Sequence, residues 1–260
     1  MKALHSIALG SLLATQALAQ TTAPAPAPVT QRDPQALSLL SQSLAAMTKG
    51  TPIQDIKLQA QATRTAGSET DTGSAVLEAA AYDKSNTNLA LTSGPRLEIR
   101  NGTAGVWSAA SAQNQPIAMH NTWTAAAWFA PVLVIQPWIQ DSSFSLGYAG
   151  LENRNGSQVH HIHAARIVAG ATDIATLSGT DLYLDPQSLL PVALAFNTHP
   201  DNDLRVNLPV EVTFGTYQTS SAMLMPSRIQ NFLQNSLLLD LSVTATSANN
   251  GLAASDFLVP

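Results

Sequence analysis

Hydrophobic and polar positions change period as the chain advances. Leu37, Leu40, Leu44 and Met47 recur at helical spacing, with Ser38, Ser41, Gln42 and Thr48 on the opposite face. Asp33-Pro34 supplies an N-cap and a first-turn proline, and Gly50 supplies a stop. The spacing predicts one amphipathic helix of about four turns that must lie against something apolar. The period then falls to two. Ile56, Leu58, Ala60 and Ala62 alternate with Lys57, Gln59, Gln61 and Thr63, the pattern of a half-buried strand. Further strands are expected at 75–82, 89–91 and 97–100, and Asn101-Gly102 is the strongest hairpin signal in the chain, with Val106-Trp107 opening the return strand.

The middle departs from alternation. Residues 122–138 hold three of the four tryptophans, Trp123, Trp128 and Trp138, among Phe129, Val132, Leu133 and Ile135. Pro131 and Pro137 break this run, which is too short to span a bilayer. A short helix before Pro131 and a second turn or short helix from Val132 are expected. Strands then return at 159–164, 182–184, 192–196, 210–214, 225–229 and 237–245, with turn signals about every ten residues, as in a meandering sheet or barrel. No helix–strand alternation points to a parallel sheet.

Composition narrows the class. Hydrophobic residues make up 45% and charged residues only 11%, so the chain can bury a core while its polar surface is mostly uncharged. A net charge of -5 without any basic run argues against nucleic acid. With Cys at 0, disulfides, thiolate catalysis and cysteine zinc sites are excluded. The first residues have the layout of a secretory signal peptide: Met1-Lys2, an apolar stretch, then Ala17-Leu18-Ala19 before Gln20. Ala-Pro alternation from Ala23 to Pro28 follows, an extended tether. The organisation expected is therefore a signal peptide over 1–19, a tether over 20–32 and a single domain over 33–260, placed in the periplasm or secreted.

Several local sequences carry a family resemblance. They are Leu182-Tyr183-Leu184-Asp185-Pro186-Gln187-Ser188-Leu189-Leu190-Pro191, then Met225-Pro226-Ser227-Arg228-Ile229, and an ending Asn249-Asn250-Gly251-Leu252 with Phe257 five residues on. With the leader and the first helix, this layout resembles the bacterial outer-membrane lipoprotein carriers of the LolA/LolB type. The resemblance implies an α+β fold: a strongly curved antiparallel sheet of about ten or eleven strands, an incomplete barrel, with an N-terminal helix and a short helical lid. It also implies a strand arginine that holds the lid. Arg64 is the nearest in strand position, though its match does not carry the role across.

Candidate chemistry is sparse. His161 and His163 share one strand face and His160 the other; Glu152 is the only local carboxylate, so a solvated face is favoured over a metal site. His120 reads as a loop residue, and Asp201 and Asp203 lack the other ligands of a calcium loop. Nucleophile-elbow and phosphate-cradling motifs are missing, so no enzyme, cofactor or metal is expected. The apolar middle is the strongest functional feature. Trp107, Trp123, Trp128, Phe129, Val132, Leu133, Ile135 and Trp138 are expected to wall a hydrophobic cavity over the curved sheet, with room left by Ala60, Ala62, Ala75, Ala79 and Ala81. The function expected is an exported binding protein, carrier- or sensor-like, for an acyl chain or lipidated peptide. Envelope proteins are candidate partners and membrane contact is peripheral or none. The alternative is a secreted structural or interaction domain with a filled core.

N-terminal sequencing of the exported protein should read from Gln20. An intact Met1 on exported material would overturn the leader assignment.

Overall fold

The structure is a computed structural model that describes residues 31–110, 113–220 and 223–260. The expected leader over 1–19 and residues 20–30 of the expected tether lie outside the described residues. Helix α1 (Pro34–Thr48) forms where the pattern places it. Asp33 Oδ1 accepts hydrogen bonds from the Gln35 and Ala36 amides at 2.7 and 3.0 Å, and Lys49 closes the helix in the left-handed region at φ 52°. The buried face is wider than the pattern predicts. Leu39, Ser43 and Thr48 are buried with Leu40 and Met47, while Leu37 and Leu44 are only partly so. The reason is that α1 touches α2, the edge strand and a strand of a late ribbon, and so is covered on several sides.

The strands are β1 (Ile56–Ala66), β2 (Glu69–Ala81), β3 (Lys84–Leu91), β4 (Gly94–Asn101), β5 (Ala104–Ala109), β6 (Gln115–Pro116), β7 (Phe144–Arg154), β8 (Ser157–Arg166), β9 (Thr180–Leu184), β10 (Pro191–Thr198), β11 (Leu208–Phe214), β12 (Tyr217–Ser220), β13 (Met223–Pro226), β14 (Arg228–Leu233) and β15 (Ser236–Ala248). Thirteen form one antiparallel sheet in the order β6-β5-β4-β3-β2-β1-β15-β14-β11-β10-β9-β8-β7, and β12–β13 form a separate ribbon. The sheet does not close, so the architecture is the expected α+β incomplete barrel. The strand number exceeds the ten or eleven expected. The sequence pattern places no strand over β7, which has Gly147 and Gly150 in its run; β6 and β12 are too short to carry a period; and the segment expected as one strand at 225–229 splits at Ser227 into β13 and β14.

Curvature comes from irregular pairing. Register shifts fall at Gln59/Ala60, Ala79/Ala81, Tyr148/Gly150, Pro191/Ala193 and Asn231/Phe232, and each such bulge bends a strand and adds twist. Strands β2 and β3 also run very close at Gly73, where a Cβ would lie 2.0 Å from the Ala90 carbonyl oxygen.

The middle segment differs from its expectation. A 3₁₀ turn (Met119–Trp123) is followed by turns up to Ala130, so no helix runs into Pro131. The amides of Ala126 and Ala127 both bond the Tyr82 carbonyl, at 2.8 and 3.2 Å, which diverts them from a helical ladder. Helix α2 (Pro131–Gln140) then starts at Pro131, whose missing N–H costs nothing at that position. Its other end is satisfied from outside. Arg32 donates to the carbonyls of Trp138 and Ile139, both at 2.8 Å, Asp141 at 2.7 Å and Phe144 at 3.0 Å. The same stretch pairs with the sheet edge: Leu146 N donates to Gln31 O and Asp33 N to Leu146 O. A short helix, α3 (Asp173–Leu177), joins β8 to β9.

The carboxylate that organises the chain ending is Asp55, 4% exposed. It accepts from Asn250 N and Nδ2, Gly251 N and Leu252 N, so the Asn-Asn-Gly-Leu sequence is a cradle for one buried acid. Burial pushes Asp55 upward, but these hydrogen bonds outweigh it and hold its pKa below the usual 3.8. The C-terminal segment then lies on the convex side, where Asn86 and Asn101 donate to the carbonyls of Asp256 and Phe257. Asp55→Ala should lower stability by about 2–3 kcal/mol, as hydrogen bonds to a charged group imply. Urea unfolding of both proteins at neutral pH checks it, and the gap should narrow as pH falls below 3.8 and Asp55 protonates.

Candidate functional site

The concave face of the sheet has two unlike halves. One is filled. Helix α1, helix α2 and the buried Met223 and Met225 of β13 belong to one hydrophobic core with the inward residues of the strands. Phe129, Val132, Leu133, Ile135 and Trp138 all lie in this core, none more than 3% exposed. They belong to the same buried cluster as helix α1 and the inward strand residues. Ala60, Ala62, Ala75 and Ala79 are likewise covered. Trp123 is partly buried and borders a separate cavity of about 340 Å³ beside Tyr82.

The other half is open. A cleft of about 370 Å³ runs between the β3–β5 wing and β14–β15, with Trp107, Trp128, Leu89 and Leu239 among its lining residues. A second compartment of about 340 Å³ shares Glu98, Trp107, Trp128, Asn231 and Leu238 with the first and extends to Phe196 and Val210 on β10 and β11. Strands far apart in the sheet order thus wall one opening, which only the curl of the sheet permits. These volumes fall in the ~300–1,000 Å³ range of small-molecule sites. Of the eight residues expected at the cavity, Trp107 and Trp128 line this cleft: Trp107 at 42% exposure on its rim, Trp128 nearly covered.

Strand β4 has its polar phase on this inner side. Glu98 faces Thr87 and Trp107 across the ladder, and Arg96 faces Leu89. Alternation by itself gives no sign of which phase points inward, and a charged phase is ordinarily read as outward. Burial pushes the Glu98 carboxyl up, against the neighbouring Arg100, which pulls it down. Arg100 itself is 5% exposed and clamps the segment that leads into Trp128. Its guanidinium donates to the carbonyls of Asn121 and Thr124, at 3.0 and 2.9 Å, and to Thr124 Oγ1. The Asn121 side chain continues the strap to the far wing. It donates to His199 O and accepts from His199 N and Thr198 Oγ1, at 2.8, 2.8 and 3.0 Å. Among the described residues, Arg100 rather than Arg64 is the strand arginine that holds this segment. Its signal in sequence was only an arginine before the Asn101-Gly102 turn.

His120 donates to, or is oriented by, the Pro200 carbonyl at 3.1 Å, a contact that ties the same segment down. Asp203 accepts from Arg205 N in an exposed loop, as a turn residue does.

The histidine strand departs from expectation. Strand β9 brings in Asp181, a carboxylate that sequence distance concealed. Oδ1 of Asp181 lies 2.9 Å from His161 Nε2 and 2.8 Å from His163 Nδ1, and Glu152 lies 3.1 Å from His161 Nδ1. Tyr183 stacks beside His161 and beneath Arg154, which pairs with Glu211 at 2.7 Å. The face is therefore a cross-linked network on β7–β11 and not simply solvated. No group of His, Cys, Asp or Glu among the described residues is arranged to hold a metal ion.

No known family model and no curated protein sequence matches the chain. Solved structures do. A putative outer membrane lipoprotein-sorting protein domain from Vibrio parahaemolyticus aligns at 13% identity over 86% of this chain and 96% of its own, with a TM-score of 0.54. A LolA superfamily protein from Nitrosomonas europaea aligns at 11% identity over 86% and 97%, with a TM-score of 0.53. A DUF1329 family protein from Desulfovibrio piger aligns at 11% identity over 88% and 98%, also with a TM-score of 0.53. The chain has the LolA-type fold.

The hydrogen bond and the charge of Asp181 raise the pKa of His163 above 6.5, against a smaller opposing effect of burial. The protonated His163 therefore stabilises the fold fully below 6.5, and that contribution is lost as pH rises through its raised folded value. His163→Ala should lower Tm more at pH about 5.5 than at pH about 8.5. Equal losses at both would rule out the Asp181–His163 pairing.

Proposed function

We propose that the protein is an exported, carrier- or sensor-like binding protein for an acyl chain or an acylated peptide, working in the periplasm or beyond it after its leader is removed. The observation that carries this reading is the unfilled half of the concave face: a cleft of mixed apolar and polar lining, roofed by Trp128, rimmed by Trp107 and sharing residues with a second compartment that reaches the other wing of the sheet. The fold supports it, since the LolA superfamily protein and the lipoprotein-sorting protein domain share this architecture. No helix among the described residues is long and apolar enough to cross a membrane.

The chemistry is burial of apolar surface. At about 0.8 kcal/mol per methylene, roughly ten buried methylenes supply the ~8 kcal/mol of micromolar binding before ordering costs. The strap through Arg100 and Asn121 holds the roof in position before the ligand arrives, which lowers the cost of ordering it. Trp107 and Trp128 are the optical reporters, and Leu238, shared by both compartments, is a partly exposed position at which a charge can be introduced.

Titration with long-chain fatty acids or acylated peptides should change tryptophan emission with saturation near micromolar concentrations. Leu238→Asp should abolish the response while the far-ultraviolet circular dichroism stays unchanged. If no acyl ligand alters emission in the parent protein, the binding reading fails and a structural or interaction domain without a small ligand replaces it.

A further inference from the structure

The open cleft ends in two arginines from different strands. Arg64 on β1 and Arg96 on β4 line it together, and they also border the adjoining cavity toward Asp71. Strands β2 and β3 separate them in the sheet. Between them on the same phase lie Gly73 and Ala75 of β2 and Leu91 and Leu89 of β3, so small and apolar residues separate the two long side chains.

Neither arginine has a salt-bridge partner among the described residues. Asp71 faces Arg64 across the ladder, yet its carboxylate is taken up by the hydroxyls of Thr92 and Ser93 and by the Ser93 amide. Arg96 Nε is buried without a hydrogen-bond acceptor. Burial and the charge of Arg96 both push the Arg64 pKa below its ordinary value, with Asp71 offsetting them only partly. The other acidic groups here are Glu98 in the cleft lining, whose pKa burial raises against the pull of Arg100, and Glu69 in the adjoining cavity. Two guanidinium groups line one partly covered site without an ion-pair partner among the described residues, and the paired oxygens of a carboxylate or phosphate match their donors.

We propose that the cleft takes an anionic amphiphile, its carboxylate or phosphate head held between Arg64 and Arg96 and its acyl tail laid against Leu89, Trp107, Trp128 and Leu239. This rests on the acyl-binding reading above and adds the head-group chemistry to it. The two parts separate by experiment, because a neutral amphiphile with the same tail retains the apolar contact and loses only the oxyanion.

The test compares palmitate, hexadecyl phosphate and monopalmitoylglycerol on the full chain, by tryptophan emission and by calorimetry. Palmitate and hexadecyl phosphate should bind about tenfold tighter than monopalmitoylglycerol at low ionic strength, with the advantage shrinking as salt screens the pair. Arg64→Gln and Arg96→Gln should each remove most of that advantage and leave the affinity for monopalmitoylglycerol unchanged. Arg64→Lys, which keeps the charge, should retain part of it and covers the case in which a glutamine variant fails to fold. Equal binding of anionic and neutral amphiphiles by the parent protein would overturn the head-group assignment while leaving acyl binding in place. So would a loss in the glutamine variants that falls equally on all three ligands. Absence of binding by all three would overturn both.

Discussion

A buried guanidinium holds the mouth of this half-barrel in shape. A charge removed from water is tolerated only where hydrogen bonds replace the water it loses. Arg100 meets that condition at its terminal nitrogens, which gather the Asn121 and Thr124 carbonyls, while its Nε is buried without an acceptor, and Asn121 in turn takes hold of the end of β10. β4 and β10 lie on opposite wings of an open sheet. The chain linking them is a strap across the opening, and the wings can neither flatten nor close without breaking it. Trp128 follows directly from the strapped segment, so the same contacts fix the roof of the cleft.

The division of the concave face follows from what the helices can reach. α1 and α2 pack on one another, and with β13 they fill the space against the central and late strands. The β3–β5 wing extends past them. From the middle segment it receives Trp128 and the strapped residues Asn121 and Thr124, and its inner phase is polar on β4, so no helix face could bury it without stranding charges. An apolar groove with charged residues at its edge is left, rather than a continuous hydrophobic core.

Much of the frame was legible in the sequence. The Asp33-Pro34 start, the alternation of Ile56, Leu58, Ala60 and Ala62, and the hairpin at Asn101-Gly102 are local signals, and local geometry obeyed them. The site was less legible because it is assembled by register. Asp181 reaches His163 only because β8 and β9 pair at those two residues, twenty positions from His161 and eighteen from His163. The apolar middle was easy to see, yet hydrophobicity alone does not separate a residue that walls a cavity from one that fills it; Leu133 fills and Trp128 walls. The polar inner phase of β4 ran against the ordinary expectation that charges face water, and this concealed Arg96 and Arg100 from a reading based on periodicity.

Arg32 has a mechanical consequence. It grips four carbonyls at the end of α2 while its neighbours Gln31 and Asp33 are hydrogen-bonded to the outermost strand β7. Whatever precedes Gln31 is therefore attached to the domain at the junction of its edge strand and its inner helix. A force applied along that leading segment is transmitted to α2 and β7 before it reaches the central strands. The Arg32 contacts and the edge bridge would be the first to carry the load.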